Sequence, residues 1–267
     1  QVIHIRTASQ PLLLQPRHLF VLREAAEASV IETYLTLEGS AATLVNEVTE
    51  VLLEKNGRLT HYTLQKGTEA TRQVQHIETV QAADSVYNHF KASFPGAALL
   101  RNNTHVVLDG EHIESHLYGI YLCGGRQVTD NHTLVDHRRP NCQSNELYKG
   151  VMKDNATGVF NGKIFVRQDA QKTNAFQQNN NLMLSDEATV DSKPQLEIFA
   201  DDVKCSHGST VGQFNEEAIF YLQARGIGLE TAKGLLVHAF LFDVTDRIPS
   251  EAVREFVNAE IEAALQA

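Results

Sequence analysis

Two residues in the last quarter of the chain carry side chains that readily bind iron or zinc. Cys205 and His207 lie two positions apart within residues 204–212. In an extended strand this spacing places both side chains on the same face, and a thiolate beside an imidazole suits a borderline metal. Two ligands are too few to hold a metal, so the others would come from elsewhere in the fold or from a second chain. A small buried Cys205 and a turn-capping His207 are the structural alternative.

The sequence before this pair has the pattern of many short strands. From about residue 30 to residue 211, turn residues recur about every 8–12 positions, and Ile113, Ser115 and Leu117 alternate with polar residues. Such strands form a sandwich, a closed barrel or a solenoid. The run 179–181, three consecutive Asn residues, favours a solenoid, because Asn side chains can stack between turns. The pair 161–162, Asn-Gly, is equally typical of a hairpin in a sandwich.

After Gln213 the pattern changes to that of helices. Asn215 can cap a first helix, with Arg225 in its last turn and Gly226 in the left-handed position that ends it. A second helix aligns an apolar stripe formed by Ala232, Leu235, Leu236, Ala239 and Phe240. A third aligns Val253, Phe256, Val257, Ile261, Ala264 and Leu265. We therefore divide the chain into a β domain, residues 1–212, and a small helical domain, residues 213–267.

The composition excludes several classes of protein. The formal net charge of −10 argues against binding to nucleic acid, which requires a basic face. No apolar stretch approaches the roughly 20 residues of a membrane span. Cys123, Cys142 and Cys205 have no paired spacing, so a reducing compartment is expected rather than a disulfide framework. We expect a cytoplasmic protein, with a plastid as the alternative.

The chain has no motif for nucleotide hydrolysis, hydride transfer or serine hydrolysis. It also has no Cys-x-x-Cys, so it cannot hold a four-thiolate cluster by itself. These absences favour a protein that is not an enzyme. The alternative is a metal-dependent, cupin-like enzyme that uses His112 and His116 with Glu114 between them on one strand face. The remaining strand histidines are predicted to be surface or hydrogen-bonded residues, namely His61, His76, His89 and His105.

Several separated segments, in the same order, resemble the SufB/SufD family of the SUF iron–sulfur cluster assembly system. They are residues 145–151, 162–164, 177–185, 193–198 and 205–208. The Cys-Ser-His-Gly form of the last segment is closer to the SufD branch than to the SufB branch. The resemblance covers most of the chain and is strongest from Asp136 to Phe242.

This resemblance implies a right-handed parallel β-helix followed by a small helical domain. It implies a scaffold that pairs with a SufB-like homologue, recruits a SufC-like ATPase and builds a transient iron–sulfur cluster at the subunit interface. No cluster would be held stably by this chain alone. His207 would take part in assembly with Cys205 as a weaker candidate, and an isolated chain could form a homodimer. The SufC-docking residues would be Arg225, Gly226, Ala232, Leu235, Leu236 and Phe240.

The start of the sequence leads to a separate expectation. The first residue is Gln1 rather than Met, and the amino-terminal helical region that the resemblance implies has no counterpart here. We therefore expect the sequence to be part of a longer chain, whose targeting cannot be read from it.

Overall fold

The computed structural model describes residues 1–266 and consists of two parallel sheets followed by three helices. Sheet A has eight strands in the spatial order β1 (Val2–Arg6), β4 (Glu27–Thr36), β6 (Arg58–Lys66), β8 (Val86–Ser93), β10 (Glu114–Cys123), β12 (Gln143–Met152), β14 (Asn174–Met183) and β17 (Lys204–Gly212).

Sheet B has nine strands. Its order is β15 (Thr189–Ser192), β13 (Thr157–Val166), β11 (Val128–His137), β9 (Leu99–Leu108), β7 (Thr71–Gln81), β5 (Thr43–Leu53) and β2 (Leu12–Leu14), while β3 (Arg17–Leu22) also pairs with β5 and β16 (Gln195–Ile198) with β13. All pairs in both sheets are parallel.

Apart from β2 and β3 and from β15 and β16, which are consecutive in sheet B, successive strands alternate between the two sheets, so the chain winds as a parallel β-solenoid of about seven turns. Glu114 pairs with Gln143, and Gln143 pairs with Asn174, so one turn takes about 30 residues. The predicted β-helix is confirmed. The hairpin suggested by residues 161–162 is wrong, because both residues lie inside β13. A Cβ at Gly162 would press on the Phe160 ring, which is why this strand carries a glycine.

The interior of the solenoid changes character along its axis. The middle turns are filled by apolar side chains such as Leu59, Leu108, Tyr121 and Phe160. The amino-terminal turns instead bury polar and charged side chains, among them Glu32, Glu47, His61, His89 and Lys91. Alternation along each strand therefore sets which side chains enter the interior, and polar residues use the same inward positions as apolar ones.

Three helices follow the last strand: α1 (Glu216–Gln223), α2 (Leu229–Thr245) and α3 (Glu251–Gln266). Asn215 caps α1 as predicted, because its side chain accepts hydrogen bonds from the backbone N–H groups of Glu217 and Ala218. Gly226 has a φ of 82°, the left-handed conformation expected after a helix.

Helices α2 and α3 cover the outer face of sheet A. Their side chains and the outer residues of the sheet form one hydrophobic cluster, in which Val237, Leu241 and Val257 pack near Tyr62 and Phe90. The predicted α3 stripe is confirmed, since all its members are buried or packed against this cluster. No helix within residues 1–266 is long and apolar enough to cross a membrane.

The predicted apolar stripe of α2 is wrong in part. The helix buries Ala232, Val237, Leu241 and Val244, whereas Leu235 is 48% exposed. Apolar residues occur on every side of this helix, so spacing alone does not identify the face that meets the sheet.

Candidate functional site

The candidate site lies at the carboxyl-terminal end of the solenoid, on β17. This strand is the last of sheet A and pairs with β14, with no described strand on its other side. Its backbone groups on that side are therefore free to pair with another chain. Cys205 and His207 occupy neighbouring inward positions of this edge strand.

Cys205 is a half-buried thiol. It pairs in register with Ala175 and packs against the small cluster that contains Ile164, Val166 and Ala200. Burial raises the pKa of this thiol, although a hydrogen bond involving the Ala175 backbone opposes the shift. The thiol is therefore protonated at neutral pH, and it must lose its proton to become a metal ligand.

His207 is exposed because no further turn covers it. Its register partner is Gln177, whose own partner on the next strand is Glu146. We call these three residues the terminal row. The Gln177 amide Nε2 donates to Glu146 Oε2 at 2.6 Å, while Oε1 of each of these two side chains has no hydrogen-bond partner within residues 1–266. The row thus runs from a buried carboxyl group to an imidazole in solvent.

Burial dominates the chemistry of Glu146. It raises the pKa of this carboxyl group to about 7, against hydrogen bonds involving Thr133 and Gln177 that lower it. A carboxyl group with this pKa exchanges its proton near neutral pH. Glu146 lies in the same row as His207, two strands away across sheet A. The sequence analysis identified no functional group at this position.

The outer face of the same strands carries an open groove of about 490 Å³. It is lined by residues of β10, β12, β14 and β17, including His116, Asn145 and the 45%-exposed Phe176, and by Arg247 after α2. Glu146, Gln177 and His207 also line this groove, so the edge strand presents the terminal row and a mixed polar and apolar groove together. Both are suited to contact with a protein.

The alternative site at His112 and His116 is not assembled. His112 lies in a turn before β10 with a φ of 57° and sits 3.5 Å from Asp84. His116 is on the strand, where its Nε2 lies 3.5 Å from Glu114 Oε2. Neither histidine belongs to a group of three or more potential metal ligands in the described part of the chain. The prediction of one shared strand face failed because the turn displaces His112.

The residues predicted to dock an ATPase differ in accessibility. Arg225 and Gly226 are exposed, and the Arg225 guanidinium lies 4.3 Å from the centre of the Tyr221 ring. Ala232 is fully buried, so it cannot contact a partner directly. Leu236 is half-buried, and Phe240 packs against the sheet and under the Lys149 ammonium group. Residues that were not predicted are more exposed, namely Phe220 at 73%, Tyr221 at 56% and Phe242 at 57%.

The histidines predicted as surface or hydrogen-bonded strand residues divide between the two sides of the solenoid. His61 and His89 are fully buried, and His61 Nε2 lies 2.6 Å from Glu32 Oε2. His76 and His105 lie outside, where both contact Glu78. All four are hydrogen-bonded strand residues, as predicted, but their polar neighbours in sequence do not tell which of them face the interior of the solenoid.

A protein-family model gives the class of this fold and site. The model for the SufBD core domain of SUF system iron–sulfur cluster assembly matches residues 4–240. This range contains the solenoid except for the start of β1, the Cys205–His207 pair, α1 and most of α2. A solenoid that presents this pair on its last strand is thus of the SUF cluster assembly class.

Individual relatives agree. The chain is 37% identical over 92% of its length to the iron–sulfur cluster assembly protein SufD of Escherichia coli. It is 33% identical over 90% to a SufBD family protein of Synechocystis and 34% identical over 90% to the chloroplastic protein ABCI7 of Arabidopsis thaliana. It spans 57%, 54% and 50% of these relatives, respectively. The chain belongs to the SufB/SufD family of SUF iron–sulfur cluster assembly proteins, with SufD among its relatives.

Proposed function

We propose that this chain is a non-enzymatic scaffold subunit that presents half of a cluster-building site to a SufB-like homologue. His207, with Cys205 as a weaker second ligand, supplies ligands for a transient iron–sulfur cluster, and the partner subunit supplies the others. The cluster is cargo, assembled at the interface and passed on. In the absence of the homologue, the same edge can pair two copies of this chain.

The observation that carries this proposal is the position of the pair on an unpaired edge strand. An edge strand offers a row of free N–H and C=O groups, which a strand from another chain can continue. Such pairing would bring a partner strand next to Cys205 and His207. It would also cover the exposed end of the terminal row.

A second contact is proposed for the helices. Phe220 and Tyr221 on α1 and Leu235 and Phe242 on α2 expose apolar side chains, and we call these four residues the α1–α2 surface. Large exposed apolar groups are typical of protein contact sites. We propose that this surface docks a SufC-like ATPase. The ATPase would supply the nucleotide hydrolysis for which this chain has no motif. The proposed setting is the cytoplasm or a plastid.

The direct test replaces the exposed imidazole. His207→Ala, expressed in its full-length chain with a SufB-like and a SufC-like partner, should lower the iron and sulfide recovered with the purified complex at least tenfold. The subunit ratio should stay unchanged, because an alanine keeps the strand intact. Iron and acid-labile sulfide analysis measures the first quantity, and densitometry of the complex measures the second.

The matched control is Ser206→Ala, which changes the opposite face of the same strand and should retain its cluster. If His207→Ala retains a wild-type cluster content, the imidazole is not a ligand. If it retains no partner, the residue acts in pairing rather than in assembly.

A further inference from the structure

The other end of the solenoid holds a cluster of side chains with metal-binding chemistry. His4 on β1, His18 on β3, Glu32 on β4 and Glu47 on β5 each offer one donor atom, and these four atoms lie within 4.8 Å of one another. This end group, as we call the four residues, lies about 30 Å along the axis from β17, because neighbouring strands are about 4.8 Å apart.

The spacing within the end group fits a shared ion better than hydrogen bonds. His4 Nε2 is 3.6 Å from Glu32 Oε1, and His18 Nε2 is 3.8 Å from Glu47 Oε1. Both gaps are too long for hydrogen bonds. Ligand atoms that surround one ion at about 2.1 Å in tetrahedral geometry are separated by about 3.4 Å. Small side-chain movements would bring these donors to that separation.

Unpaired donor atoms point into the same space. His4 Nε2, His18 Nε2 and Glu32 Oε1 are buried without a hydrogen-bond partner in the described residues. The Glu32 side chain is fully buried. A buried unpaired polar atom is costly, and three of them around one point indicate a missing common partner.

The second oxygen of each carboxylate is held by the interior. His61 contacts Glu32 Oε2 at 2.6 Å, and Gln73 Nε2 donates to Glu47 Oε2 at 3.3 Å. Tyr34 donates instead to Glu47 Oε1, the oxygen that faces His18, and so fixes the direction of this carboxylate. Such outer contacts orient metal ligands in proteins. The imidazoles of His4 and His18 remain 18% and 27% exposed, which leaves an entry path from solvent.

Charge at the end group favours a divalent cation. Within residues 1–266, imidazoles are the only basic groups that form close ion pairs with the two carboxylates. Arg6 and Lys91 reach Glu47 only through the amides of Gln73 and Gln75. Two buried carboxylates without a full cationic partner are unfavourable, and one divalent ion would neutralise both.

We propose that the end group is a binding site for a divalent transition-metal ion, Fe²⁺ or Zn²⁺, ligated by His4, His18, Glu32 and Glu47. Two imidazoles and two carboxylates form a donor set that suits both ions, whereas Mg²⁺ and Ca²⁺ prefer oxygen ligands alone. The proposal does not depend on the cluster-building role of β17.

The test uses the whole chain with Cys205→Ser and His207→Ala, so that metal bound at β17 is not counted. After chelator treatment, this background protein is titrated anaerobically with Fe²⁺, and separately with Zn²⁺ and with Co²⁺ as a visible probe. We expect one ion per chain. Adding His18→Ala, chosen because this ring is partly exposed, should weaken affinity at least about tenfold.

His132→Ala is the matched control, because this histidine pairs with Asp130 on the outer face of sheet B, and it should bind as the background does. Zn²⁺ should raise the thermal unfolding midpoint of the background more than that of the His18→Ala variant. Circular dichroism checks that the variants are folded. No ion bound by the background, or equal affinity with and without His18, would overturn the proposal in favour of a metal-free network of histidines and carboxylates.

Discussion

At the scale of single residues, burial in the solenoid changes the pKa of one member of the terminal row, the carboxyl group of Glu146. Glu146 is buried and Gln177 donates to it, whereas His207 is exposed at the end of the row. The pKa of the Glu146 carboxyl group, about 7, follows from desolvation of its charged form. A row with a half-ionised carboxyl group at neutral pH makes stability depend on pH.

The Glu146→Gln variant isolates this dependence. In the unfolded chain the carboxyl group has its ordinary pKa of 4.5, so between pH 4.5 and 7 the folded state holds a proton that the unfolded state releases. The contribution of Glu146 to the free energy of unfolding therefore falls as pH rises through this window, by up to about 3 kcal/mol. Urea denaturation at pH 5 and pH 8 should show this loss in the wild type relative to Glu146→Gln.

The exposed Glu187→Gln serves as the control for the substitution itself. Equal pH dependence in the wild type and Glu146→Gln would mean that the buried carboxyl group keeps its charge over the whole range.

At the scale of elements, α2 packs on sheet A with one side, which limits the side chains that are available for the proposed docking. Its inner side packs on sheet A through Val237 and Leu241. Lys149 of β12 donates to the Phe240 carbonyl oxygen at 2.5 Å and to Asp243 at 2.6 Å. The side chains left for a partner are those that the sheet does not use, of which Leu235 is one.

Leu235→Asp should therefore lower recovery of a SufC-like ATPase in co-purification at least about tenfold while the chain stays folded. The reason is that a carboxylate at an apolar contact must be desolvated without a partner. Leu236 and Phe240 are unsuitable for this test, because both are partly buried and a charge there would disturb the fold. Leu37→Asp, at a residue 51% exposed after β4, is the matched control. Undiminished recovery would remove α2 from the docking surface.

At the scale of the whole molecule, the helices and the solenoid share a core. Outer residues of sheet A, including Leu64 and Ile120, belong to the same cluster as Ile261 of α3, and Lys66 pairs with Glu260 at 2.8 Å. The division of the chain at residues 212 and 213 thus marks a change from strands to helices. It does not mark a boundary in the hydrophobic core, which sheet A shares with the helices.

A chain that ends at Gly212 should consequently associate or aggregate, because it exposes the apolar outer face of sheet A. Light scattering and size exclusion would measure this, with the full chain as the reference. The full chain should unfold in one transition by circular dichroism. A monomeric, folded product of residues 1–212 would show instead that the solenoid is an independent unit.

The sequence predicted the type of element well and the partners of each element poorly. Alternation correctly placed Cys205 and His207 on one face, and Asn215 correctly marked the start of α1. Alternation does not give register, so the residues alone left solenoid, barrel and sandwich open. The row that joins Glu146 to His207 and the approach of His4 to Glu32 each connect residues of different strands of sheet A, and no local spacing reveals them. His112 does not lie on the predicted strand face, because its left-handed backbone conformation interrupts the alternation of side chains before β10 begins.

The stacking of turns has a consequence for the last of them. Each inner turn is held by a neighbour above and a neighbour below, whereas β17 has only β14. Fraying of this solenoid should therefore start at its end turns, and Cys205 and His207 lie on one of them; β1 at the other end likewise pairs only with β4. If a homologue pairs with β17 as proposed, its docking would order this end turn and complete the ligand set in the same step, so that docking would set the geometry of the ligands.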